Sequence, residues 1–495
     1  MAGSYNLLKE SWIPCVMPDG SASELSLRDV LVRAQEIREV SDPSPLTTAS
    51  IHRLLLAVLY RIFAPQSIGD WLAIWESDGF SAPAVDEYLE RWNGRFDLLD
   101  KDYPFYQTSL FSGKTKIKAI NDMIPELTQG HTSTLFDHTM DDECPPISLA
   151  QSARMLVTIQ AYMLGGTSGL GQNYRDGPGA RSVTFCLLGE NLFRSLLLNL
   201  IPASSLGFPA NQDDKPVWEH DNLPVGNTPS GILDYLTWQT LKIRLSPSQA
   251  TSPETSVEEA TIGLGRDLAQ DNLLSPFSRY HKDAKRGWLP MRLREDRSLW
   301  RDASTLLAVR TSSDDVNHPA CLRWAAALTD DGHLPFGSQF ALVAFGQSAN
   351  QAKINFWRTE RMPVPMEYLA DEALVELLGS AITKTEMVGS DLRNAVTEVA
   401  LNIVDSREEA YKVRDHMSPL GVYWASLEAP FYELLSEIPI GQEESLKTWS
   451  LNLKRLAWDS FESATNGLSR HPRALKATAM GSARLARGLA TTLAE

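Results

Sequence analysis

Six glycines fall within the fifteen residues from Gly165 to Gly179, at positions 165, 166, 169, 171, 177 and 179, with Gln172, Asn173, Tyr174 and Arg175 among them and Arg181 just beyond. These residue types suit phosphate recognition. Glycine lacks a Cβ, tolerates positive φ and lets backbone N–H groups approach a phosphodiester, while Arg and Asn add charge and hydrogen bonds. The run has no G-x-x-x-x-G-K-[ST] pattern, and Tyr174 stands where a third glycine would complete G-x-G-x-x-G after Gly169 and Gly171. Neither nucleotide fingerprint is met, and a surface loop with tight turns is the alternative reading.

Two basic runs accompany it. Between Arg279 and Arg301 eight basic residues outnumber three acids, with Tyr280, Trp288 and Trp300 interleaved. After Glu462 no acid occurs until Glu495, while Arg470, Arg473, Lys476, Arg484 and Arg487 do. In a chain of net charge −16, any nucleic-acid contact has to be local, since bulk electrostatics oppose coating of a polyanion. A solvated face explains either run equally well.

Catalytic signals are missing. The nine histidines are dispersed, and neither H-E-x-x-H nor G-x-S-x-G occurs. Asp176 is the lone acid near the glycine run. Cys15, Cys144, Cys186 and Cys321 form no C-x-x-C pair, which argues against a disulfide framework or structural zinc. Asp141, Asp142 and Glu143 beside Asp137 could hold a cation, but they read as a solvated loop. The expectation is a protein with no catalytic residues, no metal and no cofactor. The longest apolar run, Leu54–Tyr60, is far short of the roughly 20 residues that span a bilayer, so a cytoplasmic protein without membrane contact is expected.

The elements that must position these residues differ along the chain. Ile51, Leu55, Val58 and Ile62 recur at helical spacing, Tyr235 to Leu245 is rich in aromatic and β-branched residues and reads as a strand, and Phe340–Phe345 reads as a buried strand ended by a turn at Gly346. From about Met366 helical periodicity dominates, with further segments at Leu420–Ile438, Glu444–Ala464 and His471–Leu493. Long helices with short connections pack as an antiparallel bundle. The predicted fold is therefore α+β: a mixed N-terminal domain over residues 1–365 and a C-terminal antiparallel four-helix bundle over 366–495.

Several segments, in order, resemble one family: CasA, the large subunit of the type I-E CRISPR surveillance complex Cascade. Asn6-Leu7-Leu8-Lys9-Glu10-Ser11-Trp12-Ile13-Pro14 resembles its N-L-L-x-x-x-W-I-P opening, Tyr103–Thr108 its P-F-x-Q-T segment, and Tyr235–Gln239 its Trp-Gln strand. Gly165–Phe185 lies where the family has a glycine loop, and Asn350-Gln351 where it has a glutamine wedge. The resemblance implies a non-catalytic subunit that reads the protospacer-adjacent motif of double-stranded DNA from the minor groove, while guide RNA reads the rest. It also implies initiation of strand separation and help in recruiting the helicase-nuclease.

By that resemblance Gly169, Gly171 and Asn173 approach the motif, the groove-inserting basic residue is Arg279 with Lys282 as the fallback, and Asn350 and Gln351 form the wedge. Phe136 sits where the family docks beside the 5′ end of the guide RNA. Arg473, Lys476, Arg484 and Arg487 are assigned to the displaced strand or a partner. The implied partners are the backbone, small and 5′-handle-binding Cascade subunits, guide RNA, target DNA and the helicase-nuclease. Cysteine pairs that some relatives carry are absent, so zinc is not carried over. Two readings compete: an enzyme that binds a phosphorylated small molecule in the glycine loop, and an adaptor that binds only protein.

Overall fold

The computed structural model describes residues 3–124, 146–166, 169–170, 175–208, 211–248, 255–269, 273–310, 314–334, 337–350, 353–468 and 471–494. The chain divides into two compact units. One comprises Met1–Arg297, Ser313–Ala327 and Phe340–Arg361, and the other Ser298–Ser312, Leu328–Gln339 and Met362–Glu495.

The first unit mixes helices with small antiparallel sheets. Strand Ile13–Val16 lies between Ala22–Leu25 and Glu39–Val40. A second sheet sets Ser256–Leu264 between Leu241–Pro247 on one side and Thr115–Ala119 and Ile147–Ser148 on the other. In a third, Gln339–Asn350 pairs with both Thr184–Leu188 and Lys353–Pro365. The third sheet closes on two helices. Pro45–Ile62 starts at a Ser44 cap with proline in its first turn, where the missing N–H costs nothing, and Leu149–Tyr162 starts at a Ser148–Gln151 capping box. The helices meet through a Thr47–Thr158 hydroxyl pair at 3.0 Å. Leu46, Ala49, Ala161, Tyr162, Cys186, Leu188, Val343 and Phe345 form one buried cluster between them and the sheet. Burying each of the larger side chains contributes about 1.5–3 kcal/mol, which holds both ends of the glycine-rich segment in place.

Two local expectations are corrected. Tyr235 and Leu236 end a helix, Ile232–Leu236, and the strand starts only at Leu241. The Asp214 carboxylate accepts the Leu233 and Asp234 N–H groups at 2.9 Å, so a cap from twenty residues away overrides the local β propensity. Gly346 does not turn the chain but lies inside strand Gln339–Asn350. A Cβ there would come within 3.2 Å of Leu293, so the glycine answers close packing.

The second unit is the bundle. Its long helices are Glu372–Ile403, capped by Asp371, then Pro419–Glu437, Gln442–Thr465 and Pro472–Thr492, with a shorter Arg407–Met417 between the first two. Cross-contacts fix their directions. Tyr423 donates to the Thr385 carbonyl while Tyr368, just ahead of the first long helix, donates to Leu435, and Arg473 reaches Asn402 while Thr492 reaches Asp391. The second and fourth long helices therefore run antiparallel to the first. Trp300, from the 298–312 excursion, packs 4.6 Å from Phe431, and neighbouring Arg301 holds Glu386 and stacks on Trp424 at 3.7 Å.

Candidate nucleic-acid interface

The glycine-rich segment leaves the helix Leu149–Tyr162 and returns to the strand Thr184–Leu188, and its glycines serve two different purposes. Gly177 donates to the Met163 carbonyl and Gly179 to the Ala161 carbonyl, at 2.7 and 2.8 Å. A Cβ on Gly177 would stand 2.5 Å from the Ala161 oxygen, and one on Gly179 would stand 2.7 Å from the Tyr162 ring. These two let the chain cross the end of the helix, and their N–H groups are already spent. Gly166 and Gly169 instead adopt positive φ, +92° and +67°, which L side chains rarely take. Gly171 and Asn173 lie outside the described residues, as do Phe136 and Gln351.

Asp176 closes the base of the segment: it accepts the Gly165 N–H at 2.7 Å and both arms of Arg181 at 2.9 and 3.2 Å. Arg175 donates to the Gly265 carbonyl at 2.7 Å. Arg175 and Arg181 therefore brace the segment in addition to carrying charge, and Asp176 is engaged as an acceptor.

The residue that the sequence reading missed is Lys116. Its Nζ lies 3.0 Å from the position of a Cβ on Gly169, and the lysine is exposed, with no ion pair among the described residues. Lys116 and Lys118 share one side of strand Thr115–Ala119. Burial, with Lys116 as a smaller contribution, holds the Lys118 ammonium below the usual lysine value against the opposing pull of Asp122. The alternating Lys114, Lys116 and Lys118 carried the signal, because a strand puts alternate residues on one face.

Two hairpins converge on the same strand, Thr184–Leu188. The first, Tyr280–Asp283 with Gly287–Pro290, is anchored beside it by the Phe185 N–H to Phe277 carbonyl bond at 2.7 Å and the Val183 N–H to Met291 carbonyl bond at 3.1 Å. Its tip is basic: Asp283 accepts the Lys285 and Arg286 N–H groups at 2.9 and 2.8 Å. Arg279 is half-buried, whereas Lys282 is exposed with Nζ 5.8 Å from the centre of the Trp288 ring. The fallback lysine is thus the more accessible of the two sequence candidates. The second hairpin is Gln339–Asn350 with Lys353–Pro365, and it ends in exposed Asn350. Gln347 on it donates to the carbonyls of Tyr162 at 2.9 Å and Ala180 at 3.1 Å, which are the two shoulders of the glycine-rich segment.

On the bundle, Arg473, Lys476, Arg484 and Arg487 share one stripe of helix Pro472–Thr492, being spaced three, eight and three residues apart. Arg473 pairs with Asp405 at 2.6 Å and Arg484 with Glu398 at 3.0 Å. Lys476 and Arg487 are exposed and make no ion pair among the described residues. No group of three or more His, Cys, Asp or Glu able to hold a metal gathers among the described residues, and none of their helices is long and apolar enough to cross a membrane.

A mixed unit whose loops present glycine backbone and lysines, followed by a helical bundle, is a known type of architecture. The model of the family CRISPR-associated protein Cse1 matches residues 6–460. The CRISPR-associated protein CasA/Cse1 of Thermus thermophilus is 31% identical over 96% of this chain and 95% of its own length. A crystal structure of Thermus thermophilus CasA superposes with a TM-score of 0.81 at 29% identity, covering 99% of this chain and all of that one. A chain from a CRISPR RNA-guided surveillance complex shares the fold, with a TM-score of 0.75 at 21% identity over 97% of this chain and 99% of its own. This chain belongs to the CRISPR-associated Cse1 family.

Proposed function

We propose that the protein is the large, non-catalytic subunit of an RNA-guided CRISPR surveillance complex, where it recognises a short motif in duplex DNA through the minor groove, starts strand separation and helps recruit the helicase-nuclease. The observation that carries this reading is the convergence of three polar or basic loops, distant in sequence, on strand Thr184–Leu188. The minor groove reports mainly A·T against G·C and its own width, so bare backbone at Gly169 with Lys116 and Lys282 on the phosphates suits tolerant reading of a short motif. Asn350, at the end of a strand that Gln347 ties to the glycine segment, is suited, together with Gln351 next in sequence, to occupy the space below the last motif pair. Unstacking that step costs a few kcal/mol.

The test is a complex assembled with Asn350→Ala and Gln351→Ala together. Duplex affinity should stay near wild type while permanganate reactivity of target-strand thymines rises more slowly. Normal opening kinetics would remove the wedge role.

A further inference from the structure

A second site lies in the first unit, in a cleft of about 640 Å³ lined by Arg95, Tyr103, Tyr106, Trp218, Asp221 and Lys242. That volume falls in the range of small-ligand sites. The Tyr103–Thr108 motif forms one wall, and duplex reading makes no use of it. Its backbone is specially held: the Asp100 carboxylate accepts the Asp102 and Tyr103 N–H groups at 2.9 and 2.7 Å, and Tyr106 has a φ of +57°. A non-glycine residue in that region stores strain, which collects at binding sites.

Tyr103 is an aromatic platform with one face supported. The Arg95 guanidinium lies 3.6 Å from its ring centre, yet the residue is 43% exposed. Arg95 is itself fixed by the His220 carbonyl at 3.2 Å and the Asp221 carboxylate at 2.5 Å, and those two bonds leave most of its five N–H donors unspent. Lys242 spends one of three donors, on the Ser112 hydroxyl at 3.1 Å. The cleft therefore combines a stacking face, spare cationic donors and two carboxylates, on Asp102 and Asp221.

That combination selects among ligands. A bare phosphate would meet the two carboxylates as well as the two cations, so charge alone does not favour it. An added peptide strand finds no free edge at Leu241–Pro247, because the Thr108 N–H already bonds the Ile243 carbonyl, and the Leu245 and Leu241 N–H groups bond Gln107 and Gln160. A ribonucleotide uses all three features: an aromatic base, a phosphate, and ribose hydroxyls that donate to carboxylates. We propose that this cleft binds one unpaired nucleotide of single-stranded RNA, its base stacked on Tyr103, its phosphate met by Lys242 and Arg95, and its ribose 2′-hydroxyl donating to Asp102 or Asp221.

The test uses the full chain with a short fluorescein-labelled oligoadenylate RNA and its deoxy counterpart, read by fluorescence anisotropy. The RNA should bind more tightly than the DNA. Tyr103→Ala should weaken RNA binding roughly tenfold, the scale of one base–aromatic stack, while Tyr103→Phe restores it and Lys242→Gln flattens the salt dependence. Gly169→Asp should leave RNA affinity unchanged, so failure here and failure of the duplex-reading role are separable. Absence of RNA binding, equal binding of RNA and DNA, or an unaffected Tyr103→Ala variant with wild-type circular dichroism would each overturn the proposal.

Discussion

The ammonium of Lys116 sits 3.0 Å from where a side chain on Gly169 would begin, so a left-handed glycine and an exposed cation from a strand some fifty residues away form one surface. Conformation is what requires the glycine. At a φ of +67° any L residue is strained, whereas the exposed lysine tip can yield the few tenths of an ångström that a Cβ needs. Gly169→Asp and Lys116→Ala should each weaken binding of motif-bearing duplex by the complex by about 1–3 kcal/mol, the scale of a lost specific contact, while Lys116→Ala leaves the unfolding temperature near wild type and Gly169→Asp, strained at positive φ, lowers it slightly. Wild-type affinity in both variants would reduce this corner to a structural turn.

Gly177 should behave in the opposite way. A Cβ 2.5 Å from the Ala161 oxygen forces the chain off the helix end, so Gly177→Ala should lose about 1–3 kcal/mol of stability. A urea titration followed by circular dichroism would measure it, and a midpoint equal to wild type would show that the crossing is looser than the geometry implies.

The four basic residues of the last helix should separate into two pairs. Arg473 and Arg484 already hold Asp405 and Glu398, whereas Lys476 and Arg487 face solvent. Lys476→Gln with Arg487→Gln should lower the magnitude of the salt slope of DNA binding by the complex by about 1.4, two single-strand contacts of roughly 0.7 each. Arg473→Gln with Arg484→Gln should change it less. Equal slopes across wild type and both double variants would assign the stripe to a protein neighbour or to water.

Stability should fall in mild acid because of His52. Burial in helix Pro45–Ile62 pushes its imidazole down to about 4 from an ordinary 6.5, so the unfolded chain takes up a proton that the native one refuses. The contribution is whole above pH 6.5 and is lost as pH falls toward 4, at up to about 1.4 kcal/mol per pH unit. His52→Gln should flatten that part of the profile in denaturant titrations across the window. An unchanged slope would mean that other groups dominate the acid limb.

The helices were legible where periodicity and caps agree. Leu420–Ile438 on sequence is Pro419–Glu437 in the structure, and Glu444–Ala464 is Gln442–Thr465, because an amphipathic stripe of about twenty residues admits little else. Tyr235–Leu236 misled because its helix is capped by Asp214 across a loop, and Gly346 misled because glycine marks close packing as well as turns. The short motifs gave the order of the chain but not which side chains remain free.

The sequence by itself determined the mixed α+β class, the helical C-terminal region, and the presence of glycine-rich, basic and polar segments. Only the tertiary structure decided how those segments are used. It set Gly177 and Gly179 against the helix end, engaged Asp176 and Arg181 with each other, brought Lys116 to Gly169, and tied the two hairpins to one strand. The division has a physical cause. Periodicity and propensity are local properties of neighbouring residues, whereas the availability of a charge or an N–H group depends on partners that only chain packing brings within bonding distance.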